Sequence, residues 1–302
     1  MVYLYHKERG SNMKLNRNDL CWCGSQQKYK KCHLQFDEKL EQLKQQGKII
    51  PLHQMIKNNE QIEGIKQAAI INSGLLDYIE KNIKAGMSTE EIDIMAKEFT
   101  AKYNAVCADY QYCGYPKHIC VSINDVVCHG IPNENEIIQD GDIVNVDATT
   151  MFNGYYADAS RMFMIGNVTN EAKNLVQNTK KALELAIDAI VPYQSCVGDI
   201  GKTIEKFAID NGYSVVKEFC GHGVGLAIHE NPYIFHFEPN EPTVTLVPGM
   251  VFTIEPMLNL GKADIFVDAD DEWTVFTEDG SLSAQWEHTL LITETGVEIL
   301  SK

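Results

Sequence analysis

The sequence has 302 residues, with 26 Lys and Arg against 42 Asp and Glu, which gives a net charge of −16. A chain of this length buries about three-quarters of its unfolded surface and needs no disulfides to form a core. The hydrophobic content of 44% and the charged content of 23% exclude a disordered chain or a fibre. No apolar run approaches the roughly 18 residues of a membrane span, and the N-terminus lacks the apolar segment of a signal peptide. Nine cysteines, mostly single, do not suit a secreted disulfide framework, so we expect a cytoplasmic protein.

Positive charge is concentrated near the N-terminus. Residues 1–48 contain ten Lys and Arg against five Asp and Glu, which leaves 16 against 37 for the rest of the chain. The acidic body disfavours general nucleic-acid binding, because phosphate contacts need clustered Lys and Arg. The basic segment could still contact RNA or an acidic partner.

Three cysteines and a histidine lie close together in this basic segment: Cys21, Cys23, Cys32 and His33. Their spacing is typical of a tetrahedral zinc site, although C-x-C is tighter than the commoner C-x₂-C. So short a segment has almost no core and cannot fold without its metal. The sequence thus divides into four predicted parts: an extension of unknown relevance (1–13), a zinc module (14–35), a linker (36–53) and a main domain (54–302).

The pattern of helices and strands in the main domain occurs twice. Amphipathic periodicity predicts helices over 58–85, from Ser88 onward, over 169–190 and over 197–211. Ser88 with Glu91 forms a capping box. The predicted strands lie in 118–130 and 142–166, with a turn at Asn153-Gly154, then between the last helix and Glu218, and in 250–258 and 282–293. An offset of 108 residues aligns Leu75 with Leu183 and Ile92 with Ile200. These matches fit either an internal duplication or a chance alignment of two helix pairs.

Five acidic or imidazole side chains of the main domain lie in segments that suit a tight site: Asp147, Asp158, His222, Glu255 and Glu287. Taken singly, each is more often a turn or salt-bridged residue. Acids on apolar strands are costly to bury unless they are paired or bind metal, and four carboxylates in one core cannot all ionise without positive charge. Two divalent cations would balance them. Oxygen-rich ligation suits Mn, Fe(II) or Co better than a thiolate type of zinc site.

From about residue 54 to 299 the chain resembles type I methionine aminopeptidase. The segments that carry the resemblance are GYPKHICVSINDVVCHGIP, DIVNVDAT, YYADASRMF, CGHGVG, IHENP, PGMVFTIEP and WTVFTEDGSLSAQWEHT. The resemblance implies an α+β pita-bread fold with internal pseudo-twofold symmetry. It also implies two divalent ions (Mn, Fe(II), Co or Zn) on the five residues above, with Asp158 and Glu287 bridging them. The implied activity is removal of the initiator methionine from nascent polypeptides by a two-metal-activated water.

The same resemblance assigns roles to further residues. His129 and His229 match histidines that contact the scissile amide, and Glu255 matches the family's proton shuttle. The methionine pocket corresponds to Tyr112, Tyr115, Cys120, Ile228 and Trp273, and a monovalent cation site (Na or K) corresponds to Asn124, Val126 and Ser283. Many relatives have Phe at position 228 and Cys at position 109, where this chain has Ile and Asp, so the fine specificity is open. A crowded metal centre favours a small second residue. We interpret His53, His118, His236 and His288 as structural.

The segment NDLCWCGSQQKYKKCH resembles the SEC-C zinc motif, which docks on protein partners or the ribosome. By analogy we expect one zinc ion here and docking of the enzyme on ribosomes. Two alternatives remain for the main domain. One is the prolidase and aminopeptidase P branch of the same fold, which the unbroken CHGIP and SLSAQWEHT segments disfavour. The other is a non-catalytic binding protein, which retention of all five ligands disfavours. We expect a monomer with no membrane partner.

Overall fold

The computed structural model describes residues 12–302, so most of the predicted extension over 1–13 lies outside the described residues. The described residues form five α-helices: α1 (Leu34–Gln45), α2 (Asn59–Glu80), α3 (Thr89–Lys102), α4 (Asn170–Asp188) and α5 (Val197–Asp210). Short 3₁₀ helices span Tyr29–Lys31, His53–Met55 and Tyr112–Gly114. None of the helices within 12–302 has the length and apolar character of a membrane span.

Fifteen strands accompany these helices in the part of the chain that the structure describes. The first five are β1 (Val106–Cys107), β2 (Cys120–Ile123), β3 (Val126–Cys128), β4 (Ile143–Phe152) and β5 (Tyr155–Met164). The next five are β6 (Ser214–Val215), β7 (Gly221–Gly223), β8 (Glu230–Ile234), β9 (Val251–Ile254) and β10 (Met257–Asn259). The last five are β11 (Ile265–Val267), β12 (Val275–Thr277), β13 (Ser283–Gln285), β14 (His288–Ile292) and β15 (Val297–Ser301).

The two halves of the main domain repeat one plan. In the first half, α2 and α3 lead to a sheet ordered β1-β4-β2, with β5 also pairing with β4. In the second half, α4 and α5 lead to β6 and to a five-stranded sheet ordered β15-β14-β9-β7-β8. The helices α3 and α5 begin at 89 and 197, and β1 and β6 at 106 and 214, so the offset of 108 residues recurs in the fold. Chance is therefore a poor explanation of the sequence matches. The predicted α+β duplication is confirmed.

Each half has its own apolar core. Leu75, Leu76 and Ile79 of α2 are completely buried in the first core, and Leu183 occupies the equivalent place in the second. The capping box predicted at Ser88 is present, with the Glu91 amide donating to Ser88 Oγ over 3.2 Å. The first helix is shorter than predicted. It ends at Glu80, and the chain then turns toward Gly86, whose φ of +90° favours glycine.

The N-terminal module lies against the main domain. Trp22 stacks on His53 with ring centroids 4.0 Å apart, and Asp37 accepts hydrogen bonds from Trp22 and Tyr29. Asn58, the N-cap of α2, donates from Nδ2 to the Cys23 carbonyl over 2.7 Å. Side-chain contacts therefore fix the orientation of the module relative to the larger domain.

The predicted boundary at residue 35 and the predicted linker over 36–53 coincide with ordered structure. The helix α1 begins at Leu34 and crosses that boundary. Leu40 and Leu43 are buried in the core of the second half, so α1 packs against the main domain. The few apolar residues of this segment gave only a weak helical periodicity in the sequence, because only one narrow face of α1 is buried.

Candidate metal centre and substrate pocket

The five predicted metal ligands lie around one cavity. Asp147 and Asp158 lie on adjacent strands, β4 and β5, whereas His222 lies on β7 of the other sheet. Glu255 and Glu287 occupy breaks between β9 and β10 and between β13 and β14. Pro256 explains the first break, because proline lacks the N–H that would continue the ladder. The cavity is thus formed where the two halves of the domain meet.

Three of these side chains are close enough to share one ion. Ligand atoms of Asp158, His222 and Glu287 all lie within 4.8 Å of one another, and all three residues are buried. His222 Nε2 is 3.9 Å from Asp158 Oδ2 and 3.6 Å from Glu255 Oε1. Among the described residues, the buried Asp158 Oδ1 has no hydrogen-bond partner. An orphaned carboxylate oxygen among other acids fits a site that binds divalent cations.

The electrostatics of the cavity also fit cations. Burial raises the pKa of Asp158 to about 6 and, with repulsion from Asp158, that of Glu255 to about 8. Burial and the charge of Asp158 raise the pKa values of Asp147 and Glu287 well above their usual range. Divalent ions would relieve this repulsion and displace the protons. These residues therefore fit a metal centre, and the donor set is rich in oxygen.

His222 is held as a neutral imidazole. Burial lowers its pKa to about 4. Its Nδ1 lies 3.0 Å from the Gly223 carbonyl oxygen, which can only accept, so the hydrogen is on Nδ1. The lone pair of Nε2 then faces the carboxylates, as a metal-ligating imidazole requires.

Glu255 is oriented by two residues around it. Thr253 Oγ1 donates to Glu255 Oε1 over 2.7 Å and accepts the His222 amide over 3.0 Å. The Glu255 amide donates to His236 Nε2 over 3.2 Å. His236 is buried and its pKa is lowered to about 3, so it remains a neutral acceptor. The sequence predicted His236 as structural and gave no signal for Thr253, since contacts made across a sheet depend on the register of its strands.

Thr149 was not predicted as a site residue, and Asp109 was named only as a departure from relatives that affects specificity; both line the cavity. Thr149 Oγ1 lies 3.0 Å from Asp109 Oδ1 and 2.9 Å from Asp158 Oδ2. One hydroxyl hydrogen cannot serve two ionised carboxylates at once. Burial and the nearby Asp158 raise the pKa of Asp109 to about 8, which fits a protonated Asp109 donating to Thr149.

The two predicted substrate histidines, His129 and His229, also line the cavity. The ring centroids of His229 and His222 are 4.2 Å apart, and His229 Nδ1 lies 2.8 Å from the Tyr112 hydroxyl oxygen. Burial lowers the pKa of His229 to about 2 and, with the nearby His229, that of His129 to about 4. Both histidines are therefore neutral hydrogen-bonding groups.

All five predicted pocket residues line the same cavity: Tyr112, Tyr115, Cys120, Ile228 and Trp273. Tyr115 and Trp273 meet edge to face with centroids 5.1 Å apart, and the Tyr115 hydroxyl donates to the Gly130 carbonyl over 2.9 Å. Phe219, Tyr233 and Met257 extend the apolar lining and were not predicted. Aromatic rings and sulfur suit a polarisable thioether side chain.

The residues predicted for a monovalent cation lie near one another outside this cavity. The Ser283 amide donates to the Asn124 carbonyl over 2.9 Å, and Val126 lies on the strand that follows Asn124. Ser283 Oγ is buried and has no hydrogen-bond partner within residues 12–302. The Asn124 carbonyl and the Ser283 hydroxyl are oxygen groups, the type of ligand that a monovalent cation needs. The cation site stays a prediction.

The four predicted zinc ligands converge in the N-terminal module. Their ligand atoms lie within 4.8 Å of one another. His33 Nδ1 is 3.2 Å from Cys21 Sγ and 3.1 Å from Cys32 Sγ, and Cys23 Sγ is 3.5 Å from Cys32 Sγ. A tight S₃N cluster of this kind suits a structural zinc ion.

Three further histidines that the sequence predicts as structural make hydrogen bonds that involve no metal-ligating atom. His118 Nδ1 lies 2.8 Å from Asp93 Oδ2, and His53 Nε2 lies 3.1 Å from Asp37 Oδ1. His288 Nδ1 donates to the Glu287 carbonyl over 2.6 Å, on the side of the strand away from the cavity.

Comparison with known proteins agrees with this geometry. Residues 63–294 match the model of metallopeptidase family M24, and residues 17–35 match the SEC-C motif. A methionine aminopeptidase of Chlamydia pneumoniae is 44% identical over 292 residues, which is 95% of this chain and 99% of that protein. The Escherichia coli K12 methionine aminopeptidase is 44% identical over 247 residues, 82% of this chain and 93% of that protein.

A solved structure extends the likeness to the fold. The methionine aminopeptidase from Rickettsia prowazekii superposes with a TM-score of 0.79 at 40% identity, covering 82% of this chain and 99% of that one. The architecture is thus the pita-bread fold. The chain belongs to metallopeptidase family M24 and, within it, to the methionine aminopeptidases.

Proposed function

We propose that this metal-dependent aminopeptidase removes the initiator methionine from nascent polypeptides with a water activated by two divalent ions. The observation that carries the proposal is the convergence of four carboxylates, three of them buried, and a neutral His222 on one cavity whose apolar wall suits a thioether side chain. Bound Mn, Fe(II), Co or Zn would supply a water of lowered pKa as the nucleophile. In this proposal Asp158 and Glu287 would each hold both ions, as the resemblance to the family implies, and their ligand atoms lie within 4.8 Å of one another.

The chain's own residues orient the peptide and move its protons. A neutral His229 that accepts the Tyr112 hydroxyl hydrogen at Nδ1 carries its own hydrogen on Nε2. From there it donates to the oxyanion that develops at the first peptide carbonyl. Glu255, held by Thr253, carries a proton toward the leaving amine. His129 hydrogen-bonds the scissile amide.

The pocket accounts for the choice of the first residue. Tyr115, Cys120 and Trp273 surround an unbranched side chain with rings and sulfur. At position 228 the pocket is lined by Ile, which is smaller than the Phe of many relatives. Asp109 adds a carboxyl group beside Thr149. A protonated Asp109 adds no negative charge, so methionine remains the favoured side chain.

The test is release of free methionine from Met-Ala-Ser. Protein freed of metal and then supplied separately with Mn, Fe(II), Co or Zn should cleave this peptide, and elemental analysis should find two ions in the main domain. Acetyl-Met-Ala-Ser, which lacks the free amine, and Ala-Pro-Ser, a prolidase-type substrate, should not be cleaved. His229→Ala should lower kcat by ~10²–10³-fold with little change in KM. Cleavage of Ala-Pro-Ser in place of Met-Ala-Ser would assign the enzyme to the other branch.

We further propose that the N-terminal module holds one zinc ion and docks the enzyme on ribosomes in the cytoplasm, with the enzyme acting as a monomer. Lys28, Lys30 and Lys31 are exposed beside the predicted zinc ligands, on an otherwise acidic protein. Exposed cations attract the phosphates of ribosomal RNA, and salt screens that attraction.

Replacing these three lysines by Gln should weaken co-sedimentation with ribosomes at low salt and leave Met-Ala-Ser cleavage unchanged. The matched control replaces three exposed lysines of the main domain, Lys81, Lys84 and Lys97, and should sediment like the native protein. Equal sedimentation of both variants would contradict docking through the module.

A further inference from the structure

Lys57 is a buried cation outside the cavity that none of the proposed catalytic steps uses. The residue is only 3% exposed, and its ammonium group forms an ion pair with the carboxylate of Glu230. Burying two charges costs solvation free energy that their attraction often fails to recover. Such a pair adds little net stability. Its role is better explained by the residues that it positions.

Glu230 holds the loop that enters the cavity. While one of its carboxylate oxygens meets Lys57, Oε1 accepts the amides of Leu226 and Ala227, over 2.7 and 3.1 Å. These amides belong to the connection between β7 and β8, which also carries Ile228 and His229. The side chain of Glu230 therefore ties the start of this loop to its end.

Lys57 is itself fixed from both sides. Its amide donates to the Gly249 carbonyl over 2.8 Å, just before β9, and the next residue caps α2. The loop lies directly against this helix at Gly225. A Cβ atom on Gly225 would lie 2.3 Å from Ile65 Cδ1, and the φ of +133° at Gly225 also favours glycine. The ion pair therefore connects a rigid frame to a closely packed loop.

We propose that Lys57 is a positioning residue for His229, acting through Glu230 and the loop that Glu230 closes. The inference rests on the proposed role of His229 as the oxyanion donor. Without Lys57, the Glu230 carboxylate turns toward solvent and releases the Leu226 and Ala227 amides. The imidazole of His229 then shifts relative to the reacting carbonyl. A displacement of about 1 Å at a catalytic group can cost ~10²-fold in rate.

The test is a double-mutant cycle on Met-Ala-Ser cleavage. Lys57→Met should lower kcat by about tenfold or more and change KM by less than about threefold. In a His229→Ala background the same substitution should change kcat by less than about twofold, because the residue through which it acts is absent. Lys57→Arg, which keeps the charge, should recover most of kcat. Lys66→Met removes the cation of a half-exposed ion pair between α2 and β15 and should be neutral in both backgrounds.

Circular dichroism and metal content should accompany each variant. If Lys57→Met does not fold, Glu230→Gln carries the same comparison, since it keeps an acceptor for the loop amides but loses the ion pair. An equal loss of kcat in the native and His229→Ala backgrounds would overturn the inference, as would a native kcat in the folded single variant. An active native enzyme with additive losses would overturn this inference alone. An inactive native enzyme would overturn the proposed function and this inference with it.

Discussion

Removing the divalent ions should make the stability of the protein fall as pH rises above about 6.5. Burial and the charge of Asp158 raise the pKa values of two carboxyl groups of the cavity, Glu255 and Asp109, to about 8. In the unfolded chain these groups titrate near pH 4. Below about pH 6.5 the buried histidines act in the opposite direction, because their lowered pKa values leave the extra protons to the unfolded chain. Above that pH the histidines are neutral in both states, so the folded metal-free protein binds more protons and loses stability as pH rises to the folded-state value near 8.

The size of the effect follows from these two pKa values. One pKa unit corresponds to about 1.4 kcal/mol. Between pH 6.5 and 8, Glu255 and Asp109 each contribute about 1.5 units, so the free energy of unfolding should fall by roughly 4 kcal/mol. For a chain of this length that corresponds to a decrease in Tm of about 8 °C. Ions that bind only the folded state oppose this fall, and they bind more tightly as pH rises because fewer protons must be displaced.

Thermal unfolding of chelator-treated protein at pH 6.5, 7, 7.5 and 8, with and without added Mn, measures this effect. Asp158→Asn removes a charge that raises the pKa values of Glu255 and Asp109, so the metal-free variant should lose part of the pH dependence. Asp188→Asn, an exposed site at the end of α4, should retain all of it. Calorimetry in two buffers of different ionisation enthalpy should show protons released on Mn binding at pH 6–7.

A metal-free Tm that stays constant or rises from pH 6.5 to 8 would refute the reasoning. So would an Asp158→Asn variant with the full native dependence, because the slope would then come from general repulsion in this acidic protein.

The elements that local chemistry determines were predictable from the sequence. The helix after Ser88 has a capping box with Glu91 and an apolar stripe, and it forms where expected. Leu75 and Leu183 marked equivalent helices because each half buries the same face. The motifs around His222 and Glu255 place both residues at one cavity of the structure, and their roles as metal ligands stay predictions.

The residues that the sequence did not reveal act through contacts between distant segments. Thr149 meets Asp158 because β4 pairs with β5 in a specific register that places the two residues opposite each other, and Asp109 reaches Thr149 from the segment after β1. The sequence does not distinguish a strand threonine that contacts site carboxylates from any other, since β-branched residues are common in strands. The contact between Asn58 and the Cys23 carbonyl could not be predicted from the sequence either, because Asn is favoured at a helix N-cap whether or not it makes such a contact.

Three further predictions test other parts of the molecule. Asp158→Asn and Glu287→Gln should each lose bound metal by elemental analysis, because a neutral amide cannot bridge two cations, and two tightly held ions in either variant would contradict the bridging roles. Met-Ala-Ser and Met-Gly-Ser should be cleaved and Met-Leu-Ser and Met-Lys-Ser spared, since the second side chain must fit beside the metal centre; equal turnover of all four would indicate a broader aminopeptidase. The third concerns α1, where Leu40 is 2% exposed and packs in the core of the second half. Leu40→Ala should lower the free energy of unfolding by about 2–4 kcal/mol, as expected for a buried leucine that leaves a cavity. Glu41→Ala, exposed on the same helix, should change it by less than about 0.5 kcal/mol. Thermal unfolding should give one transition for both variants, with the Leu40→Ala midpoint lowered by several degrees. If α1 were only a tether between independent parts, the main-domain transition would keep its native midpoint in Leu40→Ala, and the helix would belong to the linker that the sequence predicts.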